Sequence, residues 1–194
     1  MALTTLDART ALVVIDLQNG IVARATHPHP AAEVVARTAR LAEAFRAAGL
    51  PVVLVRVAFA PDGADAAHGR TELNRPPADR APGDSDIVPE LAGHEGDLVV
   101  TKRNWGAFYG TELDAVLRRR GVTQIVLAGI ATSIGVESTA RQAHERNYNV
   151  TLATDAMSDL TPGGHASSVE RIFPRLGESG TTDEVLALLA TTHA

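Results

Sequence analysis

Two kinds of apolar pattern alternate along the chain. TALVVIDL (10–17) is a continuous apolar run that ends in an acid, as expected of a strand buried on both faces of a parallel sheet. Similar runs follow at PVVLVRVAF (51–59), DLVVTK (97–102), TQIVLAGI (123–130) and NVTLATDA (149–156), with a short sixth strand expected within 175–179. Between them the spacing turns helical. Over 31–48, Val34, Leu41, Phe45 and Ala48 share one face with Thr38, and Gly49 stops the helix. Further helices are expected at 111–121, with Leu113, Val116 and Leu117 inward, at 134–146, with Val136, Ala140 and Ala143 on one side, and at 163–173. A last one opens on the capping box Thr181–Glu184 and runs through Val185, Leu186, Leu188 and Leu189. Strands alternating with helices predict an α/β protein: a three-layer, Rossmann-like fold with a six-stranded, mostly parallel sheet and helices on both faces. The longest break in the pattern, 60–90, is rich in Pro, Asp, Gly and Arg and reads as a loop.

Composition narrows the function more than the fold. The 194 residues show no repeat or linker and are expected to form one domain, 1–194. A net charge of −5 offers no basic footprint for nucleic acid. Arg118, Arg119 and Arg120 fall where a helix should end, where the helix dipole accounts for them. The absence of cysteine removes disulfides, thiolate zinc sites and a thiol nucleophile, and fits a reducing compartment. MALTTLDART lacks the pattern of a signal peptide, and no apolar run approaches the ~20 residues that span a bilayer. The expectation is a cytoplasmic protein without a membrane partner. No glycine-rich dinucleotide motif or P-loop is present. Asp62, Asp65 and His68 share the long loop at a spacing that fits no standard metal site, so neither metal nor cofactor is expected. His27 and His29, in the turn-like HPHP, are expected to meet solvent.

Ligands of open parallel sheets bind beyond the carboxyl ends of the strands. There the first strand delivers Asp16 and then Gln18, the second Arg56 and Phe59, and the third Lys102, Arg103, Asn104 and Trp105. The fourth delivers the turn Ala131–Gly135, and the fifth Asp155 and Asp159. Asp16 and Lys102 stand out as an acid and a base. Mutual attraction favours both ionised forms and burial disfavours them, so a balanced pair can move a proton at neutral pH. The same two residues can equally form a structural ion pair. The stretch A-T-S-I-G (131–135) approaches the nucleophile elbow G-x-S-x-G. On that reading Ser133 attacks, with Asp155 or Asp159 and His165 or His193 completing the order Ser…Asp…His. The competing reading makes Ser133 a helix N-cap or a substrate hydrogen bonder.

Taken in order, ALVVIDLQNG, then SDIVPEL with GDLVVTKRNWGAFYGTELDAVLRRRGV, then TQIVLAGIATSIGVESTARQAHERNYNVTLATDAMSD resemble the isochorismatase-like hydrolases, the cysteine hydrolase superfamily, through nearly the whole chain. The resemblance implies a six-stranded parallel sheet and a homodimer or homotetramer. It places the catalytic acid/base on Asp16, the supporting lysine on Lys102 and the nucleophilic position on Gly135. It implies a non-proline cis peptide between Ile130 and Ala131 and a backbone oxyanion cradle at 131–135. It also implies a substrate pocket drawn from Gln18, Phe59, Trp105, Phe108, Ile130, Ala131, Thr132, Ser133 and Ile134. For Phe108, core or interface packing is an equal alternative.

Glycine cannot form the thioester that amidase members use. True isochorismatases also carry glycine here, and the resemblance implies that their aspartate protonates the carbon end of a vinyl ether without a covalent intermediate. The turn GIATSIGVESTAR looks more like another branch, in which the glycine is native. Ala131-Thr132-Ser133 and Ala60 differ from the residues that true isochorismatases carry at these places, which points away from isochorismate itself. Three functions stay open: a non-covalent small-molecule hydrolase run by Asp16 and Lys102, a catalytically idle small-molecule-binding or assembly protein on the same scaffold, and a Ser133-dependent hydrolase.

Overall fold

A computed structural model describes residues 3–66, 69–72 and 81–193. Six strands form one sheet: β1 (Thr10–Ile15), β2 (Val52–Val57), β3 (Leu98–Lys102), β4 (Gln124–Ile130), β5 (Asn149–Ser158) and β6 (Glu178–Gly180). Their order is β3-β2-β1-β4-β5-β6, and every neighbouring pair is parallel. The chain winds outward from β1 to one edge, returns to β4, and winds to the other. The switch point therefore lies between the carboxyl ends of β1 and β4.

The central strands carry apolar side chains on both faces because both faces are covered. Leu12 and Val14 join Leu41 and Phe45 of α2 (Ala31–Ala47) and Leu189 of α6 (Thr182–Thr192). Val13 and Ile15 point the other way, to Leu117 of α3 (Leu113–Arg119) and Ala140 of α4 (Glu137–Glu145). The capping box is present: the Thr181 hydroxyl accepts from the Glu184 amide while the Glu184 carboxylate accepts from the Thr181 amide. These bonds hold the Glu184 carboxyl below its ordinary value.

Four elements depart from the pattern. A short helix, α1 (Asn19–Val22), follows β1. The helix expected from 134 begins earlier, as a π-helical turn over Thr132–Val136 that runs into α4. The helix expected over 163–173 is broken into α5 (Gly164–Ser167), a π turn and a 3₁₀ turn. Finally, β5 is two residues longer than expected and shifts register against β4 between Leu127 and Gly129.

The described end of the long loop is fastened to the first strand. Val88 donates to Leu17 O, Asn19 to Asp86 O and Gly20 to Asp84 O, and Gln18 and Ile87 form an antiparallel bridge. His68 lies outside the described residues.

Candidate functional site

Asp16 follows the last residue of β1 with φ 53°, in the left-handed region that few non-glycine residues adopt. Its amide donates to Val55 O, and Gln18 donates back to Asp16 O, so both neighbours pin this turn. The carboxylate thereby points across the end of β2 to β3. There Lys102 Nζ lies 2.7 Å from Asp16 Oδ2. Asp16 is 5% exposed and Lys102 2%. Lys102 Nζ also donates to Asn104 O at 3.2 Å. A buried pair of this kind is weak as a stabilising device, because desolvation offsets much of the attraction. Its position beside the switch point suits a site better than a scaffold.

The turn after β4 closes the other side. The Ile130–Ala131 peptide is cis. Ile134 and Val136 both donate to Ala131 O, the second across five residues, which gives the turn its π character. Two residues from beyond β5 hold it from outside. Asp159 Oδ2 accepts from the Ser133 amide at 2.6 Å, and its Oδ1 accepts from the Thr161 amide at 2.9 Å. His165 Nδ1 bonds the Thr132 hydroxyl at 2.9 Å, and the His29 ring meets His165 edge-on. Burial pushes His165 below its ordinary value, His29 adds to the effect and Asp159 partly opposes it.

Two glycines make this geometry possible. At Gly129, φ is 125° and a Cβ would lie 2.1 Å from Ile15 O, so β4 and β1 meet more closely here than a side chain permits. Gly135 is different, because its φ is outside the left-handed region. A Cβ there would face Ile15 Cγ2 at 2.9 Å, Asp16 Oδ2 at 3.2 Å and Trp105 O at 3.6 Å. The backbone conformation at 135 suits an L-residue, but a side chain there would have to displace Ile15 Cγ2 and would press on the Asp16 carboxylate.

The remaining expected site residues divide. Asp16, Lys102 and Gly135 come together. Ala131, Thr132 and Ser133 form the turn, but the Thr132 hydroxyl and the Ser133 amide are taken up by His165 and Asp159. Ile134 is half-buried against the α2 and α6 layer. Ile130 sends its side chain into that layer, so only its backbone belongs to the turn. Phe59 is half-buried just beyond β2. Trp105 places its carbonyl near Gly135, yet the residue is 69% exposed.

Two of the expected pocket residues are engaged within the fold. Gln18 is fully buried and spends its amide on the scaffold: Nε2 donates to Val57 O and Asp84 O, and Oε1 accepts from the Val57 amide. It brackets β2 and the loop. Phe108 packs in the α3 and α4 layer beside Tyr148, with Arg146 over its ring. Its alternative reading, core packing, is the one that holds.

The Ser133 triad does not assemble. His165 bonds Thr132, Asp159 binds the Ser133 amide, and Asp155 accepts from both the amide and the hydroxyl of Thr182. His29 is half-buried, meeting solvent and also the edge of the His165 ring. Asp65 accepts from the Ala60 amide and then from Arg103, which together hold its carboxyl below the ordinary range and tie the start of the loop to the end of β3. Among the described residues, no group of three or more His, Cys, Asp or Glu is placed to hold a metal ion.

Sequence reasoning missed Thr139 of α4, which braces the turn beside Gln142. Thr139 Oγ1 donates to Gly135 O and accepts from the Ala107 amide, and Gln142 Oε1 accepts from the Phe108 amide. Its signal was readable: Thr139 lies four residues after Gly135, one helical turn along, and Gln142 lies three further.

A doubly wound parallel sheet with a buried acid–lysine pair and a backbone turn at its switch point defines an α/β protein of the Rossmann-like class. The chain belongs to the isochorismatase family: the isochorismatase domain matches residues 10–184. It is 46% identical over 188 residues to the isochorismatase family protein YecD of Escherichia coli O157:H7, covering 93% of this chain and 96% of that one. An isochorismatase family protein of Burkholderia thailandensis, of solved structure, superposes with a TM-score of 0.92 at 49% identity, covering 96% of this chain and 98% of that one. The ureidoacrylate amidohydrolase RutB of Methylorubrum extorquens is 32% identical over 181 residues, covering 79% of this chain and 71% of that protein.

Proposed function

We propose that this chain is a small-molecule hydrolase of the family branch that carries glycine at the nucleophile position, and that it works without a covalent intermediate. The observation that carries the reading is the 2.7 Å Asp16–Lys102 pair set beside Gly135. Asp16 acts as general base and then general acid. Water adds to the substrate carbonyl carbon as its proton passes to Asp16. The carbon–nitrogen or carbon–oxygen bond then breaks, and the proton leaves on the departing atom. Lys102 holds the carboxylate in place and offsets its charge. The backbone of 131–135 receives the oxygen that becomes negative, through the amides of Thr132 and Gly135, since the Ser133 amide already serves Asp159. Self-association as a dimer or tetramer belongs to the same reading and is supported by the exposed apolar residues Val99, Trp105 and Tyr109.

Asp16→Asn tests the mechanism. The amide keeps the shape and can still accept from Lys102, but it cannot take a proton. Against a panel of small amides and esters that includes ureidoacrylate, turnover should fall by about 10²–10⁴ while binding and the circular dichroism spectrum persist. Unchanged turnover in the variant sinks the reading. A wild-type protein that binds a panel compound and never converts it makes the chain a binding protein instead.

A further inference from the structure

A second concave site lies at the opposite end of the sheet. The first residues of three strands, Gln124 of β4, Asn149 of β5 and Glu178 of β6, line a cleft of about 350 Å³. Small-molecule sites occupy roughly 300–1,000 Å³, so the cleft has room for a compact ligand. The turn at 131–135 follows the far end of β4, which puts roughly 20 Å of strand between the two places. The segment 4–7 forms another wall. Thr4 donates to Glu178 with both its amide and its hydroxyl, and the Asp7 amide donates to Gln124 Oε1.

The polar atoms of the cleft are unevenly committed. Gln124 is buried and spent: Oε1 also accepts from the Thr10 hydroxyl, and Nε2 donates to Thr5 O and to the Thr151 hydroxyl. Tyr148 gives its hydroxyl hydrogen to Asp114, and Asn149 Nδ2 donates to Asp7 Oδ2. Most of the side-chain donors are therefore already used, and what remains is mainly acceptors. Asp7 Oδ1 and Asn149 Oδ1 accept no hydrogen bond among the described residues. The two Glu178 oxygens accept only from Thr4 and keep lone pairs to spare.

Charge points the same way. Among the described residues, neither Asp7 nor Glu178 enters an ion pair, and no lysine or arginine lines the cleft. Arg9, two residues from Asp7, turns to Arg120 O instead. The apolar part of the wall comes from Val150, which is buried, and Leu176, which is half-buried. We propose that this cleft binds a small organic cation, an amine or guanidine carried on a short apolar body. Its N–H groups donate to Asp7 and Glu178, and its body lies against Val150 and Leu176. Such a ligand supplies both the hydrogens and the positive charge that the chain itself does not provide here. An anion would meet two carboxylates, and a neutral alcohol would leave both charges unbalanced. The inference is independent of the hydrolase reading, because it uses no residue of that site.

The test needs no substrate. The full chain, labelled with nitrogen-15, is titrated with n-hexylamine at about pH 8, where an alkylamine still carries its proton. Saturable shifts should appear in the amides of Thr4, Asp7, Asn149, Val150 and Glu178, with a Kd of about 1 mM or tighter. The same titration with n-hexanoate, which has an apolar body of the same kind and the opposite charge, should leave those amides unmoved. Glu178→Gln and Asp7→Asn should each weaken binding of the amine by about tenfold, the scale of one charge-assisted hydrogen bond. The absence of saturable shifts at about 10 mM amine overturns the proposal, since no useful affinity is then left. Shifts confined to the turn at 131–135, or equal shifts with n-hexanoate, overturn it as well. Asp7 also accepts from Thr123 and Asn149, so its variant is checked first by circular dichroism. If Asp7→Asn does not fold, Glu178→Gln decides: unchanged affinity for the amine sinks the assignment, and a tenfold loss upholds it.

Discussion

His165 is 9% exposed, bonded to Thr132 and flanked by His29 and Asp159, and burial holds it below its ordinary value. An imidazole in that position stays neutral in the folded protein at a pH where the unfolded chain would charge it. Between its folded value and 6.5 the unfolded state therefore binds more protons. Stability from this residue is fully present above about pH 6.5 and is lost as pH falls towards the folded value. Urea denaturation across that range should show the decline, and His165→Gln should flatten it. An equal slope in the variant would assign the decline to other groups. At this scale the sequence revealed the acid and the base, because each ends a strand whose direction the apolar run fixes. It did not reveal what Gln18 and Phe108 do. Both lie in connecting segments, where no periodicity tells which way a side chain turns, and each was taken up by packing or hydrogen bonds at hand.

The strands were legible for a physical reason: a strand covered on both faces must be apolar throughout, and such a run reads the same in sequence as in structure. The helix ends and the breaks were not. The π turn at Thr132–Val136 arises because Ala131 O accepts from both Ile134 and Val136, and no residue type announces that. The shift in β5 turns Asp155 towards Thr182 of α6, away from the site, although alternation along a regular strand would have kept it with Asp159. The pairing of β1 with β4 supplies the sharpest prediction for an element. Gly129→Ala would set a methyl 2.1 Å from Ile15 O at a φ of 125°, in the two strands that carry the site. It should cost about 4 kcal/mol or more, seen as a large fall in the denaturation midpoint at unchanged slope. A loss below about 1 kcal/mol would mean that the two strands separate without penalty.

For the molecule as a whole, no helix among the described residues is long and apolar enough to cross a membrane. Among the described residues, the exposed large apolar side chains lie at the β3 edge and just after it: Val99, Trp105 and Tyr109. Trp105 is the only tryptophan, so its fluorescence reports on that face alone. If self-association covers the face, light scattering should give the mass of a dimer or tetramer. Emission should also move to longer wavelength as dilution separates the subunits. A particle of monomer mass at micromolar concentration, with solvent-like emission throughout, would sink the proposal of an oligomer.

The sheet order carries a last consequence. Because β2 lies between β1 and β3, Asp16 and Lys102 stand on strands two spacings apart, roughly 9–10 Å. Only a long, unbranched arm can bridge that width and still present its charge at 2.7 Å. The architecture therefore prescribes the length of the cation as strictly as its sign, and a shorter amine rooted in the same strand would leave the carboxylate stranded across the gap.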